Sequence, residues 1–201
     1  MQSLVAIKGL VICQKKEWGE ILTDFETKNR YVVLEPSGRE LYLAVEEGGS
    51  MFLRFFLKAL RPFEINMRRL DNQPVLRLKR PFRFYFHELV VYGQDGALLG
   101  SIKRRFSLLR RIYSVIGPHG RQILQLFGPI LHPWTFEIRD EIREYGKITK
   151  KWSGLLKEGF TDADNFAVTF PAQWPIEQKA VLLGAVFLID FVHFENAVKK
   201  S

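Results

Sequence analysis

Apolar and polar residues alternate through most of the chain, and this alternation predicts short, half-buried β-strands. Phe63, Ile65 and Met67 alternate with polar neighbours, and Leu76 and Leu78 do the same in the next segment. A period of two residues turns one face of a strand towards a core and the other towards solvent. Turn-forming residues separate such segments at 36–38, 71–74, 94–96 and 118–120. Regular strands with tight turns predict an antiparallel meander that closes into a sandwich or barrel.

The C-terminal segment breaks this pattern. Residues 180–194 read AVLLGAVFLIDFVHF and are apolar on nearly every face, which is typical of a helix buried on all sides. The segment is shorter than the roughly 20 residues that span a bilayer as a helix, and Asp190 would be costly at mid-membrane. We therefore expect a helix through the centre of the barrel. A membrane anchor formed by residues 180–194 is the alternative.

Length and composition fit one globular domain. The chain has 201 residues, of which 47% are hydrophobic and 26% charged, as in folded rather than disordered proteins. The single Cys13 allows no intrachain disulfide and fits a reducing compartment. The first residues combine no basic region with a long apolar run, so no signal peptide is expected. We expect one domain over 1–201, with the barrel at about 4–172 and the core helix at about 175–198.

Positive charge is concentrated in the middle of the sequence. The formal net charge is +8, and residues 54–111 hold 14 Lys and Arg against 4 Asp and Glu. This distribution favours an anionic partner, either lipid headgroups or nucleic acid. The residues that we predict to bind headgroups are Lys79, Arg80, Arg83, Lys103, Arg104, Arg105, Arg110 and Arg111.

Catalytic motifs are missing from the sequence. It contains no glycine-rich phosphate-binding loop and no Gly-x-Ser-x-Gly turn,. Its four histidines are scattered, and no pair has the helical spacing that holds zinc,. We therefore expect a protein that is not an enzyme, with no small-molecule substrate evident.

One segment partly matches a calcium-binding loop. Asp162 and Asp164 occupy the first and third positions of an EF-hand-like stretch,. Phe166, Ala167 and Gln173 then replace a ligand, the turn glycine and the closing glutamate. We expect a connection rich in Asx residues at this point, with calcium binding by Asp162 and Asp164 as the alternative.

Several stretches resemble the phospholipid scramblase family. The most specific are FTDADNF at 160–166 and LIDF at 188–191. Shorter ones lie at 24–31, 61–63, 70–72, 128–129, 136–138 and 146–154, in the family's order. The resemblance covers nearly the whole chain, from about residue 10 to residue 195.

The resemblance implies a tubby-like fold, in which a twelve-stranded antiparallel barrel surrounds a hydrophobic C-terminal helix. It also implies a peripheral protein at the cytoplasmic face of the cell membrane that binds anionic phospholipid. Calcium-dependent movement of phospholipids between leaflets is a further implication. The family's calcium segment corresponds to 162–173, where the closing acid is absent, so calcium dependence is not expected to carry over.

Strand connections in a meander alternate between the two ends of a barrel, which predicts two chemically different ends. One set of connections is short and polar, whereas those near 51–57, 82–86, 106–109 and 130–134 are aromatic and aliphatic. Relatives carry lipidated cysteine clusters at roughly corresponding places. We hypothesise that the following side chains enter a membrane: Phe52, Phe55, Phe56, Phe84, Phe86, Leu108 and Trp134,. Packing of these residues over the barrel mouth and the central helix is the alternative.

Together these patterns predict a monomeric, scramblase-like peripheral protein that binds anionic phospholipid and moves lipids between leaflets. A regulatory protein that binds nucleic acid with the same basic surface is one alternative. A single-span protein anchored by 180–194 is the other.

Overall fold

The computed structural model describes residues 1–15, 30–47, 62–150 and 165–194. Within these ranges, a short 3-10 helix at Gln2–Leu4 precedes twelve strands and one α-helix. The strands are β1 (Gly9–Lys15), β2 (Arg30–Leu34), β3 (Glu40–Glu47), β4 (Phe63–Arg69), β5 (Pro74–Arg80), β6 (Glu88–Gly93), β7 (Leu98–Arg105), β8 (Arg111–Ile116), β9 (Gln122–Gly128), β10 (Thr135–Arg139), β11 (Glu144–Lys150) and β12 (Asn165–Thr169). The helix is α1 (Ile176–His193).

The strands form a closed antiparallel barrel. Each strand pairs with the next one along the chain, and β1 pairs with β12 to close the ring. In β4, Phe63, Ile65 and Met67 are buried, whereas Glu64 and Asn66 between them are half-buried. The two-residue period therefore predicted the inward face of this strand. The expected all-β barrel with a single C-terminal helix is confirmed.

The helix α1 is the core around which the barrel closes. Every side chain from Lys179 to Phe191 is buried. Gly184 allows the helix to approach the barrel wall, because a Cβ atom there would lie 2.8 Å from Val91 Cγ2 and 3.0 Å from Leu89 Cδ2. The described part of the chain contains no helix with both the length and the apolarity needed to cross a membrane.

One end of the barrel, which we call the turn end, is closed by short polar turns. Gly38, Asn72, Gly96 and Gly120 adopt positive φ angles of 90°, 67°, 80° and 75° in four of them. Glycine and asparagine tolerate this left-handed conformation best. The polar turns predicted from the sequence thus lie together at one end.

A buried lysine joins the N-terminal segment to the helix at the turn end. The Lys179 ammonium group is fully buried and lies within hydrogen-bond distance of four backbone carbonyl oxygens. Its three N–H groups share four acceptors, the carbonyl oxygens of Leu4 (2.9 Å), Val5 (2.9 Å), Ile7 (3.1 Å) and Ala172 (2.7 Å), so one N–H is bifurcated,. These bonds hold both chain segments over the barrel mouth.

At the opposite end of the barrel, which we call the apolar end, the described connections are 81–87, 106–110 and 129–134. Because consecutive antiparallel strands run in opposite directions, every second connection lies at the same end of the barrel,. The C-terminus of α1 reaches this end, where Phe194 stacks on Trp134 at 5.1 Å between ring centroids. Residues 51–57, which we expected at this end, lie outside the described residues.

Candidate membrane-facing site

Exposed apolar side chains are concentrated at the apolar end. Of the 16 exposed large apolar side chains in the described residues, ten belong to the three connections of this end that the structure describes. These are Phe82, Phe84, Tyr85, Phe86, Phe106, Leu108, Leu109, Ile130, Leu131 and Trp134. Single exposed apolar residues are common on protein surfaces, but a group of this size marks an interaction surface.

The tips of these connections are open to solvent rather than folded over the barrel mouth. The exposed fraction is 68% for Phe84, 77% for Phe106, 87% for Leu108 and 86% for Leu131. Leaving such side chains in water forgoes about 1.5–3 kcal/mol each relative to full burial. An apolar environment that receives them would recover part of this free energy.

Hydrogen bonds within the protein hold parts of the connections at the apolar end. In 81–87, the carbonyl oxygen of His87 accepts a 2.8 Å hydrogen bond from the backbone N–H of Arg104. In 106–110, the backbone N–H of Arg110 donates to Ser107 Oγ at 3.1 Å. Each of these bonds ties one backbone group of its connection to the rest of the protein.

Arg111 holds the third connection in the same way. Its guanidinium group donates to the carbonyl oxygens of Pro129 (3.3 Å), His132 (3.2 Å) and Pro133. The group also lies over the ring of Phe136, 4.6 Å from its centroid. Arg111 was predicted to bind headgroups, but these contacts make it a half-buried residue that positions the connection.

Arg80 also differs from its predicted role, because it is not at the surface. Its side chain is fully buried. It donates to His87 Nδ1 at 2.7 Å and lies 4.4 Å from the Phe191 ring centroid. The alternation of β5 carries the missed signal, since Arg80 continues the inward phase of Leu76 and Leu78. A headgroup cannot reach this guanidinium, so we remove Arg80 from the predicted contacts.

The other predicted cations lie in and beside the connections 81–87 and 106–110 of the apolar end. Arg83 and Arg110 are exposed on its connections, and Lys79 is exposed near the end of β5. The last three residues of β7 are also basic: Lys103 and Arg105 are exposed and Arg104 is half-buried. All eight predicted cations therefore lie at this end of the barrel, but Arg80 is buried and Arg111 is bonded to carbonyl oxygens, which leaves these six to meet a headgroup.

The described residues that we expected to enter a membrane are also found at this end. Phe84, Phe86 and Leu108 are exposed. Trp134 is 48% exposed, because its other face packs on Phe194. Phe52, Phe55 and Phe56 lie outside the described residues. The sequence analysis did not select Tyr85, Phe106, Leu109 or Leu131, although they stand in the same connections and are as exposed.

A cleft opens between connection 81–87 and the end of β7, and we call it the rim cleft. Its volume is about 630 Å³. Its lining consists of Arg83, Phe84, Tyr85, Phe86, Glu88, Lys103, Arg104, Arg105 and Phe106. Glu88 bridges two of the cations, with Oε2 3.3 Å from Arg83 Nη2 and Oε1 3.1 Å from Lys103 Nζ.

Two neutral histidines lie beneath the apolar end. His87 Nδ1 accepts from Arg80, and Tyr113 Oη lies 2.7 Å from His193 Nε2. Burial, together with Arg80 and Arg104, lowers the pKa of His87 from 6.5 to about 4. Burial is also the main cause that lowers the pKa of His193 from 6.5 to about 3. A low pKa keeps both rings uncharged near neutral pH, in agreement with their bonds.

The predicted calcium ligands cannot be placed, because Asp162 and Asp164 lie outside the described residues. Within the described ranges, no group of three or more His, Cys, Asp or Glu side chains is arranged to hold a metal ion. Calcium binding therefore stays a prediction from sequence.

Comparisons with known proteins give one consistent family. The family model described as Scramblase matches residues 1–196. Phospholipid scramblase 1 of Mus musculus is 34% identical over 98% of this chain and 64% of the relative, and that of Homo sapiens is 33% identical over 98% and 66%. Phospholipid scramblase 2 of Bos taurus is 33% identical over 97% of the chain and 71% of the relative. The chain thus spans just under two thirds of the length of the mouse and human relatives. No solved structure gives a significant match.

Proposed function

The chain belongs to the scramblase family, and from this premise we propose that it is a peripheral membrane protein that binds anionic phospholipid with its apolar end. One observation carries the proposal: exposed apolar side chains and a group of cations occupy the same end of the barrel. Amphipathic surfaces that lie in a membrane interface combine these two features. Scrambling moves a lipid without making or breaking a covalent bond, which agrees with the expectation that the chain is not an enzyme.

The magnitudes fit reversible attachment. Each Lys or Arg close to an anionic surface contributes about 1 kcal/mol, and the effect falls off within a Debye length. Phe84, Phe106 and Leu108 would add about 1 kcal/mol or more each if their exposed surface were partly buried in the acyl region. Several such contributions together hold a protein at a membrane without a spanning segment. Because the charge contribution is screened, attachment should weaken as salt increases.

The cytoplasmic face of the cell membrane is the location that we propose. Its inner leaflet is rich in anionic lipid and attracts basic protein surfaces. The buried Cys13 fits the reducing conditions there,.

Liposome flotation tests the proposal with two matched triple variants. Phe84→Ser, Phe106→Ser and Leu108→Ser together remove apolar surface at the apolar end. The control Leu70→Ser, Leu98→Ser and Ile142→Ser removes exposed apolar side chains at the turn end. The first variant should partition about a hundredfold more weakly into anionic vesicles, equivalent to about 3 kcal/mol, and the control should match the parent.

The same experiment distinguishes a protein that binds lipid from one that binds nucleic acid. Neutral vesicles should recruit the parent much less than anionic ones, because the cationic contribution is lost. A duplex DNA sample serves as the competing polyanion. Equal flotation of both triple variants, or binding to DNA that exceeds binding to anionic vesicles at equal salt, would contradict the proposal.

Movement of phospholipid between leaflets is the finer activity that we propose, and it is supported by the names of the relatives. Each of the three relatives described above is called a phospholipid scramblase. Vesicles with a fluorescent lipid in both leaflets test it, because an external reductant bleaches only the outer leaflet unless lipids exchange. Added protein should increase the bleached fraction beyond the outer leaflet. An unchanged fraction, with the protein bound to the vesicles, would contradict this activity.

A further inference from the structure

The rim cleft is large enough to hold one small ligand. Its volume of about 630 Å³ lies within the range of small-molecule sites, about 300–1,000 Å³,. Residues 83–86 form one wall, and residues 103–106 at the end of β7 form the other. The cations of the cleft therefore border a common volume, unlike single cations on an open surface.

Charge in the cleft favours an anion. Four cations line it, namely Arg83, Lys103, Arg104 and Arg105, and Glu88 is the one carboxylate among its lining residues. The cleft thus carries a surplus of three positive charges. Arginine and lysine together recognise a phosphate well, because arginine can donate two parallel hydrogen bonds and lysine supplies a compact charge.

Glu88 holds two of these cations in place. Its two carboxylate oxygens contact different partners, Arg83 at 3.3 Å and Lys103 at 3.1 Å. The Glu88 side chain is only 15% exposed, whereas those of Arg83 and Lys103 are about half exposed. The carboxylate therefore fixes two long side chains from the inner side and leaves their outer sides open. Fixing such side chains in advance lowers the entropy cost of binding.

The aromatic side chains of the cleft indicate that the ligand is more than a phosphate. Phe84, Tyr85, Phe86 and Phe106 line the same space and are all mainly exposed. These rings also belong to the apolar end, so the cleft is continuous with the surface that we propose to enter the membrane. A ligand that matches both parts has a phosphate at one end and an apolar body at the other.

We propose that the rim cleft binds a single anionic phospholipid, with its phosphate between Arg83 and Lys103 and its acyl chains along Phe84 and Phe106. Glu88 is a positioning residue that orients the two cations. This inference deepens the proposed function, since it replaces general attraction to a charged surface by a defined site that one lipid saturates. It rests on the proposed function in one respect: the acyl chains leave the cleft towards the membrane that the apolar end is proposed to face.

Calorimetry with soluble lipid tests the cleft without a membrane. The probe is dihexanoylphosphatidylglycerol below its micelle concentration, added to the full chain. We expect saturable binding of one lipid per chain. Two other compounds are controls. Inorganic phosphate lacks the apolar body, and dihexanoylphosphatidylcholine lacks the net negative charge. The affinity of the chain for each of these two compounds should be at least about tenfold lower than for the anionic lipid, a difference of about 1.4 kcal/mol.

Two variants with matched controls identify the cleft as the site. Lys103→Ala should weaken binding of the soluble lipid about tenfold, whereas Lys147→Ala, which removes an exposed lysine from β11, should not,. Glu88→Gln should weaken binding severalfold although it makes the chain more positive. Glu144→Gln changes the net charge equally at an exposed position on β11 and should leave binding of the soluble lipid unchanged.

The outcomes separate this inference from the proposed function. Saturable lipid binding that Lys103→Ala weakens supports the cleft even if the protein fails to float with vesicles, a result that would count against membrane attachment alone. Flotation without saturable binding of the soluble lipid would overturn the cleft and leave attachment standing. Stronger binding by Glu88→Gln, or equal affinity for inorganic phosphate, would also overturn the inference.

Discussion

Acidification should destabilise the protein through the two histidines buried beneath the apolar end. His87 accepts a hydrogen bond from Arg80, and His193 lies within hydrogen-bond distance of the Tyr113 hydroxyl. Protonation of His87 would remove the acceptor that its Nδ1 offers to Arg80, because a protonated imidazole has no acceptor,. It would also place a positive charge beside Arg80 and Arg104, which already lower the pKa of His87. Protonation of His193 would place a charge in a buried position, which is costly,.

The pKa values determine the direction and the size of the effect. The folded-state pKa is about 4 for His87 and about 3 for His193, whereas an unfolded histidine titrates near 6.5,. Between these values the unfolded chain takes up protons that the folded chain does not. Stability is therefore complete above about pH 6.5 and is lost as the pH falls. At about pH 5.5 each histidine should cost on the order of 1 kcal/mol, or about 2–3 kcal/mol together.

Urea unfolding followed by circular dichroism measures this loss. We compare the free energy of unfolding near neutral pH and at about pH 5.5 for the parent, the His87→Gln/His193→Gln variant and the His119→Gln/His132→Gln control. His119 and His132 are exposed. The His87→Gln/His193→Gln variant should lose most of the pH dependence of the free energy of unfolding. The His119→Gln/His132→Gln control should keep the pH dependence of the parent. A parent equally stable at both pH values, or a loss that persists without His87 and His193, would refute the reasoning.

Three further predictions concern the core helix and the calcium segment. Lys179→Met should lower the free energy of unfolding by about 3 kcal/mol or more, because four carbonyl oxygens lose a buried charged donor; equal thermal stability of the variant and an exposed Lys147→Met control would contradict this,. Leu183→Asp should prevent soluble folding, since Leu183 is fully buried; a folded variant that only loses membrane association would instead favour the anchor alternative,. Calcium should bind weakly at best, and calorimetry showing micromolar binding that Asp162→Asn abolishes would be the contrary result.

Much of the fold was predictable because local patterns and the global fold agree. The two-residue period of β4 placed Phe63, Ile65 and Met67 in the core, and positive-φ residues such as Asn72 marked the turns. The C-terminal helix was predictable because its apolar residues cover every face, while its length and Asp190 favoured a protein core over a membrane,. Closure of the barrel by β1 and β12 depends on pairing between the two ends of the chain, which a local pattern does not contain. The family resemblance provided that part.

The sequence predicted the apolar connections of the candidate site, but it did not predict which of the cations are exposed. The apolar connections were visible in the sequence, and topology brought those that are described to one end. The individual cations were harder to assign, because a long basic side chain can either meet solvent or bond inward. Arg80 follows the inward phase of its strand, and Arg111 turns towards three carbonyl oxygens. The bridge from Glu88 to Arg83 and Lys103 depends on positions that strand pairing sets.

The central claim is that the apolar end faces the membrane, and environment-sensitive labels at the two ends test it most directly. Single cysteines at Leu108→Cys and Ile142→Cys place a fluorophore on side chains that are 87% and 90% exposed at opposite ends of the barrel. The native Cys13 is buried and should react little,. Anionic vesicles should shift the emission of the label at position 108 to shorter wavelength, and lipid-borne quenchers should reach it, while the label at 142 keeps its aqueous spectrum. An equal response at both positions, or a response at 142 alone, would contradict the account.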